Sequence, residues 1–242
     1  MPTRSISVVE LLDRLEVQYG KQCPYWPTDP YEFLIWWHCG YPQSDERCAK
    51  GWEALIAQVG IAPKELLAAK PDRLASALKY GGMVPELRAL RLKEIAMRVQ
   101  DQFAGDLLRA LRGPVAEARK LLKTFPNIAD PGADRILLFA GVAPVAAVPS
   151  NNPSVIIRVL YGRERENYQV NYRESQQAVE SVIPANTAAR SRAYLLLKRH
   201  GQELCKRTKP KCEHCPIRIN CAYFAGNLRG RSAYAPSPGS RR

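Results

Sequence analysis

CKRTKPKCEHCPIRINC, residues 205–221, places four cysteines in one short segment, with Lys206, Arg207, Lys209 and Lys211 between the first two. The spacing is Cys205-x6-Cys212-x2-Cys215-x5-Cys221. The C-x2-C pair brings two sulfurs to one side of a metal centre, and the longer arms bring the others around it. Structural zinc is usually held by two short-spaced pairs, and here there is one. Thiolate-only ligation with long arms suits an iron–sulfur cluster. Spacing leaves both open, with a modest edge to the cluster. His214 lies inside the C-x2-C, but four thiols already suffice, so it reads as a neighbour of the ligands or as solvent-facing. A centre that fixes this loop turns its four basic side chains into a rigid comb aimed at phosphates. Such contacts add affinity through counterion release and carry no base sequence.

The rest of the composition agrees with a polyanionic partner. The chain has 242 residues, a net charge of +13 and 46% hydrophobic residues, enough for a buried core. The charge suggests nucleic acid or an anionic membrane surface, and nucleic acid is favoured over a basic protein merely kept soluble by self-repulsion. Glu10, Asp13, Arg14 and Glu16 interrupt the N-terminal apolar pattern, so no apolar core of signal-peptide type is expected there. No stretch has the length of a membrane span. The expected location is inside the cell, cytoplasmic or nucleoid-associated, where clustered cysteines mean metal rather than disulfides. Cys23, Cys39 and Cys48 share no ligand-like spacing and read as small buried hydrophobes.

The pattern is helical throughout. Val8, Leu11, Leu12 and Leu15 share one helix face. CPYWPTDP is a connector that ends in a helix start, with Asp29 as cap and Pro30 in the first turn. PYEFLIWWHC is apolar nearly all round, so it is expected to be buried, with Trp36 and Trp37 in the core. Tyr25 and Trp26, in the connector, are the expected exposed aromatics. Further helices are expected over ERCAKGWEALIAQVG, APKELLAAK, PDRLASALKYGG, PELRALRLKEIAMRVQDQF, DLLRALRG, VAEARKLLKTF, QQAVESVIP and AARSRAYLLLKRHG. Arg88, Arg91 and Lys93, beside Glu86 and Glu94, read as a solvated, salt-bridged face. GRERENYQVNYRES, residues 162–175, reads as an exposed elaboration or a loop. The tail from about Gly226 reads as disordered. No strand run appears, so the fold class is all-α.

The four-cysteine spacing near the C-terminus, preceded by His200-Gly201, resembles the [4Fe-4S] motif of the endonuclease III family of DNA glycosylases. TDPYEFLIWW is similar to that family's opening "TPYELLIA" helix, and GGMVPELRALRLKEIA to its "GLYNSKAENI" segment. FPNIADPGADRILLFAG, residues 125–141, resembles its helix-hairpin-helix, whose consensus is close to LPGIGPKTADRILLYA. The resemblance runs from about residue 28 to 224. It implies a two-lobed helix-hairpin-helix fold, a [4Fe-4S] cluster on Cys205, Cys212, Cys215 and Cys221, and a monomer that binds double-stranded DNA. It also implies a groove between the lobes where a base is flipped out. The domains it suggests are 1–28 as an N-terminal helix on the cluster domain, 29–152 as the helical barrel, 153–225 as the cluster domain and 226–242 as the tail.

At several positions the residues depart from the family pattern. Asn127 and Ala129 replace the hairpin glycines that let backbone N–H groups reach a phosphate; with Ile128 they form the expected hairpin contact. Asn tolerates a left-handed backbone; Ala does so less well. Pro131 stands where bifunctional members have the lysine that attacks the sugar. Pro149, in PVAAVPSNNPSVIIRVL, stands where they have the catalytic aspartate. Proline offers no nucleophile, base or charge. Asp130 can cap the second hairpin helix and, shifted by one residue, is a weak catalytic candidate; Asn151 and Asn152 with a bound water are the others. Asp134 reads as structural. In CGYPQSD the family's wedging glutamine falls at Pro42 or Gln43, and Asp45 matches the family's final Asp; Tyr41, Pro42 and Gln43 either wedge into the duplex or form an ordinary turn. Three readings follow: a DNA-binding repair protein without lyase chemistry, a monofunctional glycosylase with relocated catalytic groups, and a redox or scaffold protein.

Overall fold

A computed structural model describes residues 5–150 and 154–226. Every regular element among them is helical. Asn151, Asn152 and the tail beyond Gly226 lie outside the described residues. The chain divides into two compact units: a central one, Pro24–Pro144, and a terminal one made of Met1–Cys23 and Val145–Arg242.

The terminal unit opens with α1 (Val8–Tyr19). Its cap Ser7 accepts a hydrogen bond from Glu10 N–H, satisfying one of the helix's orphan donors. Val8, Leu11, Leu12 and Leu15 are its buried stripe, and each fully buried Leu contributes about 2 kcal/mol.

In the central unit, α2 (Pro30–Gly40) starts at the cap Asp29, which accepts from Glu32 N–H, and is buried on nearly every side. Trp36 and Trp37 lie in the core as expected. Around α2 run α3 (Asp45–Gln58), α4 (Pro63–Ala68), α5 (Pro71–Leu78), α6 (Pro85–Phe103), α7 (Leu107–Ala110), α8 (Val115–Leu122) and α9 (Asp130–Phe139). α2 packs against α3, α6, α7 and α9. A Cβ on Gly81 would sit 1.6 Å from Cys39 O, so only glycine lets the turn after α5 reach the end of α2.

The terminal unit resumes with α10 (Val155–Tyr161), α11 (Tyr168–Glu180) and α12 (Thr187–Glu203), and α12 packs against α1 and α10. Two short 3-10 turns, Cys212–His214 and Arg218–Asn220, shape the cysteine loop.

Four sequence expectations need correction. Trp26 is buried: the Arg135 guanidinium lies 3.8 Å over its ring, and Phe139 packs edge-on against it. Tyr25 alone of that pair is exposed. Cys23 is exposed, unlike the buried Cys39 and Cys48. Arg88 is no solvated residue. It is buried and donates to Met83 O (2.9 Å), His38 O (3.0 Å) and Gly40 O (3.2 Å), tying the turn after α2 to the turn before α6. Residues 168–175 are helical, because Asn167 caps α11 through Gln169 N–H and Val170 N–H.

Candidate nucleic-acid interface and metal centre

The cysteine loop begins where α12 ends. Leu204 N–H and Cys205 N–H both donate to His200 O, at 3.0 and 2.8 Å, which closes the helix and turns the chain towards the first thiol. Lys211 N–H donates to Leu204 O at 2.8 Å, so the stretch holding the basic residues is a loop pinched at its base. Lys206, Arg207, Lys209 and Lys211 are all exposed. Lys209 sits at φ 53°, a left-handed turn that changes the direction of the chain midway. Beneath them lies Arg158 of α10, buried to 7% exposure. Its guanidinium donates to Lys206 O (2.9 Å) and Arg207 O (3.4 Å), approaches Cys205 Sγ (3.8 Å) and pairs with Glu164 (2.8 Å). The rigidity expected of the metal centre is therefore supplied in part by one buried arginine.

All four thiols are free and line one small cavity, with Val159, His200, Leu204, Ile217, Tyr223 and Phe224 among its walls. Among the described residues no group of three or more His, Cys, Asp or Glu side chains is placed to hold a metal ion. The four thiols line one cavity, and thiolate-only ligation with a single short-spaced pair suits an iron–sulfur cluster. Donors already face them. Arg158 faces Cys205, and the Ile217 N–H and the His200 ring face Cys215. The Tyr223 and Phe224 N–H groups face Cys221. Burial pushes the Cys205 thiol up to about 11 and Cys215 up to about 12, and it raises Cys212 and Cys221 too. Four such thiols ionise only against positive charge, which an iron centre supplies. The donor set fits a [4Fe-4S] cluster. His214 is exposed and outside this set.

In the terminal unit, Pro149 lines a separate small cavity with Ser154, Glu164, Tyr168, Asn171 and Arg207. Ser154 caps α10 through Ile157 N–H and shares a hydrogen bond with Ser175. Arg207 thus lines this cavity as well as taking its place in the comb.

In the central unit, the hairpin's first substituted glycine, Asn127, does adopt a left-handed backbone, at φ 54°. The second, Ala129, does not: at φ −105° and ψ −176° it is extended, so alanine is unstrained there. Asn127 and Ala129 are exposed, whereas Ile128 is buried with its methyls against Gly132. The cap of α9 is Ala129, not Asp130. Asp130 is instead the first helical residue and pairs with Lys123 at 2.6 Å. Pro131, in the first turn of α9, is buried and has no N–H to offer a phosphate. Asp134 is buried and paired with Arg119 at 2.7 Å, as a structural residue would be.

The turn after α2 is similarly placed. Tyr41 stacks on Trp37, ring centroids 4.1 Å apart. Pro42 is exposed, and Gln43 is half-buried, close enough that a Cβ on Gly82 would meet its Cγ at 3.0 Å. Asp45 accepts from Tyr25 Oη (2.9 Å) and pairs with Arg135 of α9 (3.3 Å). His38 lies between Leu34 O (2.7 Å) and Pro126 O (2.9 Å), which ties α2 to the start of the hairpin. Sequence reasoning missed Arg88, Arg135, Arg158 and Tyr19 as organisers. Each acts on residues far away in the chain, and a lone sequence carries no signal of that.

No family model matches the chain. It is similar to endonuclease III of Thermotoga maritima, 24% identical over 209 residues that make up 85% of this chain and 90% of the relative. It is also similar to the thymine/uracil-DNA glycosylase of Pyrobaculum aerophilum, 25% identical over 158 residues, 64% of this chain and 66% of the relative. Among solved structures, an endonuclease III from a non-covalent complex with DNA superposes with a TM-score of 0.72 at 18% identity, over 93% of this chain and 99% of that one. In sequence and fold, the chain is thus similar to the endonuclease III-like helix-hairpin-helix DNA glycosylases.

Proposed function

We propose that this protein grips double-stranded DNA in base excision repair and recognises damaged or mispaired bases without the lyase chemistry of its lysine-bearing relatives. The observation that carries the reading is the pinched loop of residues 205–211. Its four cationic side chains are exposed while its carbonyls at Lys206 and Arg207 are held from below by Arg158. A flexible basic loop would lose conformational entropy on meeting phosphates; a loop already fixed loses less. Cys205, Cys212, Cys215 and Cys221 would hold a [4Fe-4S] cluster, which would supply the positive charge that keeps four clustered sulfurs ionised and the loop closed. Asn127 and Ala129, exposed at the hairpin, add a second phosphate contact, and Pro42 and Gln43 enter the duplex from the turn after α2. The protein acts as a monomer inside the cell.

Catalysis by the lysine route has no group to run through, since Pro131 and Pro149 hold the two positions that matter. Asp130 is engaged with Lys123, which leaves it better suited to hold the hairpin than to activate a water. The names of the relatives, glycosylases that include thymine/uracil enzymes, support the second reading, in which base release proceeds through other residues such as Asn151 or Asn152.

One experiment separates the two. Anaerobically purified protein is incubated with duplexes carrying uracil, thymine opposite guanine, oxidised pyrimidines, adenine opposite oxidised guanine, alkylated bases or abasic sites. Released base is scored by mass spectrometry, and binding is measured as a function of salt. Salt-sensitive binding without release supports the DNA-reading function; release from any one duplex assigns the enzyme function. No binding to any duplex overturns both. Iron content is measured on the same samples, and stoichiometric zinc in place of iron would refute the cluster.

A further inference from the structure

His200 is the most buried histidine of the chain, 1% exposed, in the last turn of α12. The sequence marks it only as the residue before Gly201. In the structure it touches two of the four cysteines. Its carbonyl accepts the Cys205 N–H at 2.8 Å. Its ring nitrogen Nε2 lies 3.6 Å from Cys215 Sγ. The other ring nitrogen, Nδ1, lies 2.9 Å from the Tyr19 hydroxyl, at the end of α1 and 181 residues away in the chain.

The donor roles follow from what each partner can do. A sulfur bound to iron is a thiolate and can only accept. Nε2 must therefore carry the proton. A neutral imidazole with its proton on Nε2 has a lone pair on Nδ1, and the Tyr19 O–H can fill it. The chain of bonds is then Tyr19 O–H to Nδ1, and Nε2–H to Cys215 Sγ.

We propose that His200, held in one tautomer by Tyr19, is the side-chain hydrogen-bond donor to the Cys215 ligand and so sets the reduction potential and the lifetime of the bound cluster. This rests on the cluster reading given above. Hydrogen bonds to the ligand sulfurs draw charge from them and raise a cluster's potential, and residues that orient the ligands tune metal affinity about 10–100-fold. The second hydrogen bond to Cys215, from the Ile217 N–H, is main-chain and stays in any side-chain variant. His200 is a positioning residue, one step removed from DNA.

The test uses anaerobically purified holoprotein of wild type, His200→Phe, His200→Gln and Tyr19→Phe, with iron per chain measured first. Midpoint potentials are read by protein-film voltammetry, and cluster lifetime is read as visible bleaching in the presence of an iron chelator. In His200→Phe the midpoint is expected to move to more negative potential and the bleaching rate to rise about tenfold. His200→Gln, which keeps an N–H donor, is expected to recover most of both. Tyr19→Phe, which frees the tautomer but keeps the ring, is expected to fall between wild type and His200→Phe. DNA affinity of the loaded variants is expected to stay within about twofold of wild type.

Loaded His200→Phe with wild-type potential and bleaching rate overturns the proposal. If that variant loads no cluster, Tyr19→Phe decides, and an unchanged potential and lifetime overturn it. Wild-type protein that carries zinc and no iron overturns the cluster reading itself and this inference with it. Loaded wild type with insensitive variants overturns only the role of His200.

Discussion

The pair Asp45–Arg135 offers a sharp test of what holds the central unit together. Both residues are 3% exposed, and they meet at 3.3 Å. Arg135 also lies 3.8 Å over Trp26, with Phe33, Trp36 and Trp37 within 5.8 Å. Asp45 also accepts from the Tyr25 hydroxyl. Removing one partner of a buried ion pair costs about 3–5 kcal/mol, mostly because the other charge is left buried. The two partners are not equivalent here. Asp45→Asn leaves the guanidinium its aromatic faces, and desolvated cation–π contacts contribute about 1–2 kcal/mol. Its cost should fall near 2–3 kcal/mol. Arg135→Met removes the cation and the stacking together and leaves the carboxylate buried, so its cost should fall near 4–5 kcal/mol. The double variant removes both charges, and its cost should be below the sum of the singles by at least about 2 kcal/mol. Denaturant melts followed by tryptophan fluorescence measure this cleanly. The chain has four tryptophans, Trp26, Trp36, Trp37 and Trp52, and all lie in the central unit. Single-variant costs that add to that of the double within about 0.5 kcal/mol, or an Asp45→Asn cost above that of Arg135→Met, would refute the reasoning.

Replacing Lys206, Arg207, Lys209 and Lys211 by Ala should weaken binding to all duplexes alike and flatten the log K against log salt slope by roughly 3–4, one increment of about 0.9 for each phosphate no longer neutralised; an unchanged slope removes the loop from the interface. Arg158→Gln takes away the charged fork under that loop, so trypsin should cut between Lys206 and Lys211 several-fold faster and DNA affinity should fall, both readable in one limited-digestion and binding series. Burial pushes His38 down to about 4 from 6.5, outweighing its two carbonyl contacts. Its neutral form is therefore favoured by folding, and the associated stability is complete above pH 6.5 and lost as pH falls from 6.5 towards 4. The loss reaches about 3 kcal/mol. Melts of wild type and His38→Gln across that window should show the slope in the first and a flatter profile in the second.

Much of the fold was legible because its signals are local. Asp29 and Pro30 mark a helix start, and the Val8–Leu15 stripe names its own buried face. α10 was not legible as a helix. Four of its seven residues, Val155, Ile156, Ile157 and Val159, are β-branched and argue weakly against helix. Burial of all four overrides that preference, and the Ser154 cap was the one local cue. Arg88 looked solvated beside Glu86 and Glu94, but the carbonyls it serves, at residues 38, 40 and 83, are brought to it by the fold. Trp26 looked exposed because it stands in a proline-rich connector; nothing nearby in sequence announces that Arg135 and Phe139 will cover it. The grouping of the four cysteines was readable because they fall in one short segment, and in the structure they line one cavity. Their surroundings, Arg158 and His200 with Tyr19 behind it, come from three separate helices and were not.

The terminal unit is sewn from both ends of the chain. Leu11, Leu12 and Leu15 share one hydrophobic core with Ile217 and Cys221, and Arg14 hydrogen-bonds Asn220 across 206 residues of sequence. On a ribosome adding about 5–20 residues per second, α1 emerges roughly 10–40 s before the last cysteine that completes its core. The central unit is synthesised whole in that interval and can collapse on its own contacts. The first helix to be made is thus among the last to find its place. A nascent chain stalled before α12 would carry a finished central unit while the Leu11, Leu12 and Leu15 face of α1 still lacked its partner, a signal for quality control that senses exposed leucines.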